Sequence, residues 1–470
     1  FGCVLPGAML LIAMGLISGC GSGSDAPAPI VTPEPALLSG VFVDSPVSGL
    51  SYTTVTQSGL TDADGTFQYR AGETVTFSAG EIVLGSTGGK AVITPVDLAN
   101  GADSSANMKA VNIARFLQLI DVDGNAANGI EITDDIRAGL TWQEADGDND
   151  GSIFDDQASI FVATGVFAVF MDQVLASLNS ASVFTALSPR GLATRSATGA
   201  RRNFDTALTA IAPHPFSPYV KEVGIGVTNL NISMAFYEHV LGMQFVGYQG
   251  RADRVEAVYE DNRASGRNRV VLMQFNDPAI DCTNRPVKLI LAGPAVADMY
   301  AAIIAGGGAG FIEPAYPLGS PNLVAMALDP DGYMIELLEY ALPGYYLTGI
   351  GIGVESLEPM DDFHTGVAGM RLKYYLNVPL FMNEVIMQSR LSPNYDVSAG
   401  MDVVLMDYFN DTGKDYQDVP AKIAYTVANP TALVQAIAAK GLPVIQVPSE
   451  GVRGVAKDPS GYEVELIAAP

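Results

Sequence analysis

The chain has 470 residues, of which 48% are hydrophobic and 16% charged, and this balance excludes an intrinsically disordered protein. Its length favours two to four domains over a single hydrophobic core. The net charge of -26 excludes a general nucleic-acid binder, because an acidic surface repels a phosphate backbone. This negative charge fits a secreted or surface protein that binds cations.

The first 20 residues are predicted to be a targeting segment. An apolar run over residues 4–17 has the length of a signal peptide and is short for a spanning helix. It leads into Leu16-Ile17-Ser18-Gly19-Cys20, which resembles the lipobox of bacterial lipoproteins. The resemblance implies a lipid on Cys20 and, with Gly21 next, the outer membrane of a Gram-negative cell envelope. An ordinary signal peptide is the alternative, and the missing basic segment and initial Met indicate a truncated start.

Residues 21–38 predict a flexible Gly-, Ser-, Ala- and Pro-rich tether, and residues 39–187 a β-rich domain with helices. Turn signals separate four strand-like runs, at residues 40–43, 50–56, 65–69 and 74–78, and helical spacing covers residues 106–120. We therefore expect a small antiparallel β unit plus helices. Residues 39–132 also resemble an N-terminal domain of secreted bacterial lipoproteins.

An acidic loop over residues 146–157 is a candidate calcium site. Oxygen side chains at its first, third and fifth positions and Gly151 at its sixth match the start of an EF-hand-type loop. Gln157 takes the twelfth position, where a bidentate acid belongs. The candidate ligands are Asp146, Asp148, Asp150 and Asp156.

A second candidate loop precedes it, with Asp121, Asp123 and Asn125 as possible calcium ligands. It matches the pattern less completely, because Ala126 stands at the sixth position. Both loops are alternatively plain solvated turns, since Asp-, Asn- and Gly-rich segments form these as well. Calcium here would stiffen the domain and take no part in catalysis.

Residues 188–216 predict a linker, and its small basic cluster, Arg195, Arg201 and Arg202, is predicted to be solvated. Beyond it the chain repeats itself. Segments return in the same order, 224–227 as 351–354, 235–243 as 362–370, 270–273 as 403–406 and 329–337 as 458–466. The repeat predicts two tandem domains, residues 217–341 and 345–470.

Each copy ends in an Asp-Pro-x-Gly turn that starts a strand. Side chains alternate along a strand, so Glu336 shares a face with its apolar neighbours Met334 and Leu338. A carboxylate in that place must be paired, bound to a metal or at the rim of a cavity. In the second copy Glu463 and Glu465 share one face.

With its Phe-Tyr-x-x-x-Leu-Gly-Met and Asp-Pro-Asp-Gly-x-x-x-Glu segments, the tandem resembles the vicinal oxygen chelate superfamily of glyoxalase I, extradiol dioxygenases and bleomycin-resistance proteins. The resemblance implies an α+β fold with two complete domains of paired βαβββ units around cavities. It maps the family's last metal ligand onto Glu336 and Glu465. The first ligand maps onto Glu222 or Gly349, and the middle one, usually His, onto Lys288 or Lys422.

The chain has only three histidines, His214, His239 and His364, and we expect none of them to bind a metal. A lysine that faces a glutamate indicates an internal charge pair, Lys288 with Glu336 and Lys422 with Glu465. Two alternatives remain open. Desolvation would lower the pKa of a lysine and make it a base or nucleophile, or Glu222 and Glu336 would hold Mg²⁺ or Mn²⁺.

These residues predict a membrane-anchored, monomeric lipoprotein that binds a small molecule in a cavity without the usual metal site. One alternative is a divalent-metal-dependent lyase or dioxygenase that uses Glu222 and Glu336. The other is a calcium-stiffened surface or adhesion protein. Fold alone does not separate the three, because this superfamily contains both enzymes and binders.

Overall fold

The structure is a computed structural model that describes residues 35–99, 101–102, 104–141, 160–162, 167, 170–174, 178, 196–264, 266–317, 322–378, 381–390, 400–409, 416–449 and 452–470. Residues Leu37–Pro470 belong to one unit of mixed α+β structure. Within the described residues, no helix is long and apolar enough to cross a membrane.

The N-terminal module is rich in short strands. Its strands are β1 (Leu37–Phe42), β2 (Val47–Ser48), β3 (Ser51–Thr53), β4 (Ser58–Leu60), β5 (Thr66–Arg70), β6 (Thr74–Ala79), β7 (Ile82–Gly88), β8 (Val92–Ile93) and β9 (Ile130–Glu131). Its helices are α1 (Pro95–Leu98), α2 (Met108–Leu119) and α3 (Asp134–Gly139). Each predicted strand and the predicted helix overlap an observed element.

The module has one antiparallel sheet of order β4-β3-β6-β7, as expected, and two smaller sheets that include parallel pairs, β1 with β8 and β2 with β9. Phe42, Phe67 and Phe77 form an aromatic centre to which the apolar face of α2 adds Phe116. The parallel pairs were not foreseen, because short strands far apart in sequence leave no hairpin signal.

The predicted linker contains a helix, α4 (Ala197–Ile211), which packs on α2 and on the tandem. The expectation that Arg201 is solvated was wrong, since its side chain is fully buried. Its guanidinium pairs with both oxygens of Asp361 and donates to Thr365, at 3.0 Å, and to Tyr375, at 2.6 Å. A buried Asp361 needs such a partner, so α4 is a joint between the module and the tandem.

The tandem consists of four βαβββ units in chain order. Unit 1 contains β10 (Tyr219–Gly226), α5 (Leu230–His239), β11 (Gln244–Gly250), β12 (Arg254–Glu260) and β13 (Arg269–Phe275). Unit 2 contains β14 (Val287–Gly293), α6 (Val296–Ala305), β15 (Ala309–Ala315), β16 (Val324–Leu328) and β17 (Met334–Glu339). Unit 3 contains β18 (Tyr346–Gly353), α7 (Leu357–Asp361) with a π-helix (Asp362–Val367), β19 (Arg371–Val378), β20 (Met382–Gln388), β21 (Asp402–Tyr408). Unit 4 contains β22 (Ala421–Val427), α8 (Pro430–Ala439), β23 (Val444–Gln446), β24 (Gly454–Lys457) and β25 (Glu463–Ala468).

The two copies exchange halves. Units 1 and 4 form one eight-stranded sheet, β11-β12-β13-β10-β22-β25-β24-β23, called here the 1–4 sheet. Units 2 and 3 form the other, β15-β16-β17-β14-β18-β21-β20-β19, called the 2–3 sheet. This corrects the expectation of two self-contained domains over residues 217–341 and 345–470. A repeat reveals equivalent units, but not which units pair.

Both sheets have one face covered by helices and one inner face. Ile335 and Leu337 on β17, and Tyr333 just before it, enter the helix-covered core, whereas Met334 and Leu338 join a separate apolar cluster on the inner face. The alternation predicted around Glu336 is therefore observed, and it places this carboxylate on the inner face of the 2–3 sheet.

Candidate functional site

The inner face of the 2–3 sheet contains a buried lysine shared by two carboxylates, called here the Lys288 site. Lys288 on β14 lies with Nζ 2.8 Å from Oε2 of Glu336 on β17 and 2.6 Å from Oε1 of Glu384 on β20. The lysine side chain is 1% exposed, Glu384 is 5% and Glu336 is 15% exposed. The predicted pair of Lys288 and Glu336 thus exists, with a third member from the other copy.

A glycine makes room for this lysine. Gly351 on β18 lies directly opposite Lys288, and a Cβ at residue 351 would lie 3.0 Å from Cε of Lys288 and 2.9 Å from Sδ of Met406. The lysine stem therefore crosses the neighbouring strand where that strand has no side chain. Antiparallel pairing of β14 with β18 thus helps to place the ammonium between units 2 and 3.

Apolar and aromatic side chains surround the Lys288 site. The buried cluster on this face includes four methionines and two tyrosines: Met326, Met334, Met382, Met406, Tyr408 and Tyr416. Tyr374 is 41% exposed. Its pKa is raised to about 12, mainly by burial, and the nearby charges of Glu336 and Glu384 act in the same direction. Met side chains adapt to ligands of irregular shape.

The 2–3 sheet curls around this face. The ring of Phe311, on edge strand β15, lies 5.7 Å from the ring of Phe381, in the turn between β19 and β20 at the opposite end of the sheet. Strands at the two ends of an open sheet meet only if the sheet bends back on itself. The Lys288 site therefore lies on the concave face of the curved 2–3 sheet.

Electrostatics hold the Lys288 ammonium in its charged form. Burial acts to lower the pKa of Lys288, but the carboxylates of Glu336 and Glu384 outweigh it and hold that pKa above its usual value. Burial raises the pKa of Glu384, against the attraction of Lys288. The alternative of a Lys288 amine with a lowered pKa was therefore wrong, because the lysine has two acidic partners.

The inner face of the 1–4 sheet contains the equivalent Lys422 site. Nζ of Lys422 lies 3.0 Å from both oxygens of Glu256, 3.0 Å from Oε1 of Glu465 and 3.9 Å from Oε1 of Glu222. Lys422, Glu256 and Glu465 are fully buried. The predicted pair of Lys422 with Glu465 is present, again with a glutamate from the other copy.

Arginines close the Lys422 site. Arg254 binds Glu256 at 2.8 Å and Glu463 at 2.6 Å, while Arg251 and Arg453 both contact Glu465. Burial acts to raise the pKa of Glu465, but Lys422, Arg251 and Arg453 lower it to about 2. Four basic side chains thus face four glutamates, and the largely exposed Asp253 adds a fifth carboxylate, 3.0 Å from Arg254.

The structure separates two residues that were expected to share a metal. Glu222 lies on β10 of the 1–4 sheet, where Arg453 binds it, and Glu336 lies on β17 of the 2–3 sheet. Their assignment to one copy suggested a shared cavity, but the exchange of units puts them on different sheets. The pairing of Glu222 with Glu336 was wrong.

The divalent metal that the resemblance implies does not fit either site. The ammonium of Lys288 occupies the space between Glu336 and Glu384, and that of Lys422 the space between Glu256 and Glu465. A fixed positive charge there repels a second cation. Within the described residues, no group of three His, Cys, Asp or Glu side chains is arranged to hold a metal.

His364 and His214 have partners other than the two lysines. His364, in the π-helix, is fully buried beside the hydroxyl of Tyr425, and burial lowers its pKa to about 3. Its Nε2 lies 4.0 Å from Oδ2 of Asp458 in the repeated turn. His214 bonds the carbonyl oxygens of Phe216 and Gly366.

The candidate calcium loops divide between described and undescribed residues. Asp146, Asp148, Asp150 and Asp156, like Cys20, lie outside the described residues. In the first loop Asp121 is 2% exposed, and its Oδ1 accepts from the Glu131 N–H at 2.9 Å. Burial raises the pKa of Asp121 to about 6, and the Asp123 carboxylate acts in the same direction.

Sequence reasoning missed Glu256 and Glu384, which complete the two lysine sites. The signal was present, because Glu256 is the third residue of β12 and Glu384 the third residue of β20, the equivalent strand of the other copy. The arginines had no such signal, since Arg254 is replaced by Met382 at the equivalent position.

No protein-family model matches the chain, and no curated protein does. Similar solved structures include glyoxalase I from Zea mays, with 20% identity and a TM-score of 0.44 over 54% of this chain and 93% of that one. A putative dioxygenase from Bacillus subtilis has 12% identity and a TM-score of 0.41 over 54% of this chain and 86% of its own. Glyoxalase I of Leishmania major has 21% identity and a TM-score of 0.22 over 25% of this chain and 82% of its own.

The tandem has a mixed α+β fold built on two eight-stranded sheets. Each of these sheets combines two βαβββ units. A fold of this kind accommodates many activities, so function has to be argued from the lysine sites themselves.

Proposed function

We propose that the inner face of the 2–3 sheet binds a small organic molecule with an apolar body and an amine or hydroxyl group. The charge imbalance of the Lys288 site carries this proposal. One ammonium serves two carboxylates, and within the described residues no second basic side chain contacts Glu336 or Glu384. A donor or cation from a ligand would relieve that excess of negative charge.

The contrast with the Lys422 site supports the choice of face. There the carboxylates are covered by Arg251, Arg254 and Arg453. At the Lys288 site, Glu336 retains 15% exposure, and the lining is made of methionine and tyrosine side chains. Apolar walls with a few convergent polar groups are typical of small-molecule sites.

Three matched probes test the proposal on the full chain: phenethylamine, phenethyl alcohol and hydrocinnamate. They share an aromatic body and differ in charge, and their binding is measured by saturation-transfer NMR and calorimetry. We expect the amine to bind best and the carboxylate worst, because the site has an excess negative charge. Glu336→Gln should weaken amine binding by roughly tenfold, the loss expected for a charged hydrogen bond.

Glu339→Gln is the matched control, since it makes the same charge change on the same strand but on the opposite face. It should leave probe binding unchanged. Equal binding of all three probes, or an equal loss in both variants, would contradict a site centred on Glu336.

A lipid on Cys20 is a separate part of the proposed function. The lipobox-like segment over residues 16–20 supports it, as does the Gly-, Ser-, Ala- and Pro-rich stretch that follows. Labelling of cells with an alkyne fatty acid should mark the protein, and Cys20→Ala should abolish the label and release the protein from the membrane fraction. An unlabelled protein would exclude the lipid anchor.

A further inference from the structure

A buried carboxylate in the N-terminal module has an oxygen with no partner. Asp121 follows the end of α2 and is 2% exposed. Its Oδ1 accepts from the Glu131 N–H, but among the described residues its Oδ2 has no hydrogen-bond donor. A buried and unsatisfied carboxylate oxygen is costly, so it indicates a missing partner.

A second carboxylate faces the first. The side chain of Asp123 is close enough to that of Asp121 for a direct side-chain interaction. Asp123 is itself oriented, because its Oδ1 accepts from the Asn125 N–H at 2.7 Å and its Oδ2 from the Asn128 side chain at 2.8 Å. Two adjacent carboxylates repel each other unless a cation or a shared proton lies between them.

The end of α2 adds to the negative potential at this place. Residues Met108–Leu119 form three turns of helix, and Asp121 lies two residues beyond Leu119. The carbonyl groups at a helix C-terminus carry a partial negative charge, which favours cations. Asp121, Asp123 and the helix end therefore all favour a positive charge at the same point.

We propose that Asp121 and Asp123, with oxygen atoms of Asn125 and of the loop backbone, form a calcium site. The ligands are hard oxygens on a tightly turned loop, the kind that calcium takes. With only two carboxylates, the affinity falls near that of extracellular calcium modules, with a Kd of about 10⁻⁴ to 10⁻³ M. The ion ties the end of α2 to β9, because Asp121 also accepts from Glu131 of that strand.

Calcium titration of the full chain, followed by calorimetry and by hydrogen exchange with mass spectrometry, tests the site. We expect calcium to slow exchange in the peptide covering residues 120–132, which contains the Glu131 N–H. In Asp121→Asn and in Asp123→Asn, the calcium concentration needed for the same protection should rise by roughly tenfold or more. Asp123 is exposed, so its variant is expected to fold even if the Asp121 variant does not.

Two controls make the outcome decisive. Asp135→Asn removes the same charge from an exposed position of the same module and should change nothing. Asp148→Asn alters the other acidic loop and should leave protection of residues 120–132 intact. Protection confined to residues 142–157, or calcium binding unaffected by Asp123→Asn, would overturn the proposal in favour of a proton shared between Asp121 and Asp123.

Discussion

Nζ of Lys288 lies 2.8 Å from Oε2 of Glu336 on the neighbouring parallel strand. The same relationship occurs in the other sheet, where Lys422 lies 3.0 Å from Oε1 of Glu465. In both sheets, a cation built into the chain lies beside the glutamate, Glu336 or Glu465, that the resemblance maps onto the last metal ligand. The central claim is that these ammonium groups replace the metal ion.

Removal of the ammonium from the 2–3 sheet should be strongly destabilising. In Lys288→Met, Glu336 and Glu384 would face each other without a cation, and the free energy of unfolding should fall by about 3 kcal/mol or more at pH 7. Burial already raises the pKa of Glu384. A carboxyl whose pKa is raised in the folded state stabilises at low pH, and this stability is lost as the pH rises.

Part of the lost stability should therefore return at pH 5, as measured by urea denaturation. The double variant Lys288→Met with Glu384→Gln should be more stable than Lys288→Met alone, because it removes the stranded charge. A single variant as stable as the wild type at pH 7 would show that the ion pair is dispensable.

The glycine opposite Lys288 offers a steric test. In Gly351→Ala, the new methyl group would lie 2.9 Å from Sδ of Met406 and 3.0 Å from Cε of Lys288, so Met406 must shift and Lys288 must move by a few tenths of an ångström. Overpacking of this kind costs about 1–3 kcal/mol. Gly250→Ala, on an edge strand with no atom within 4 Å of the added carbon, should lack this penalty. Thermal unfolding of both variants would compare them directly.

The buried arginine of α4 should be essential to the joint between the module and the tandem. Arg201→Ala leaves Asp361 buried without its partner and should cost about 3–5 kcal/mol. Arg201→Lys should not rescue it, because an ammonium cannot form the two parallel hydrogen bonds of a guanidinium. Arg202→Ala, on the next residue, is the control, and limited proteolysis would report release of the module. Equal resistance of the Arg201 and Arg202 variants would argue against this role.

His364 should make the protein sensitive to acid. Its pKa is lowered by burial to about 3, so between pH 6.5 and about 3 the unfolded chain binds a proton that the folded chain does not. Its contribution to stability is therefore fully present above pH 6.5 and is lost as the pH falls, by up to about 1.4 kcal/mol per pH unit. The gap in unfolding free energy between the wild type and His364→Gln should shrink from pH 7 to pH 5. A constant gap would mean that His364 does not titrate.

Much of the fold was predictable from the sequence, and the reason is periodicity. The alternation along residues 333–338 correctly put Glu336 and its neighbours on one face, and the repeat correctly predicted equivalent units. The pairing of Lys288 with Glu336 followed, because both belong to unit 2 and their strands are adjacent.

Contacts between copies were not predictable in this way. Glu384 reaches Lys288 from unit 3, and Glu256 reaches Lys422 from unit 1, across sheets that the repeat pattern does not specify. Arg201 looked solvated because it lies among basic residues in a polar segment, and its burial depends on Asp361, 160 residues away. Long-range electrostatic partners leave no local sequence signal.

The most direct test of the central claim is the transition-metal content of the full chain, measured by elemental analysis after loading with Mn²⁺ or Zn²⁺ and desalting. The wild type should retain no stoichiometric metal, whereas Lys288→His, which puts an imidazole beside Glu336 and Glu384, should gain about one equivalent. About one equivalent in the wild type, lost in Glu336→Ala, would contradict the claim that lysine replaces the metal.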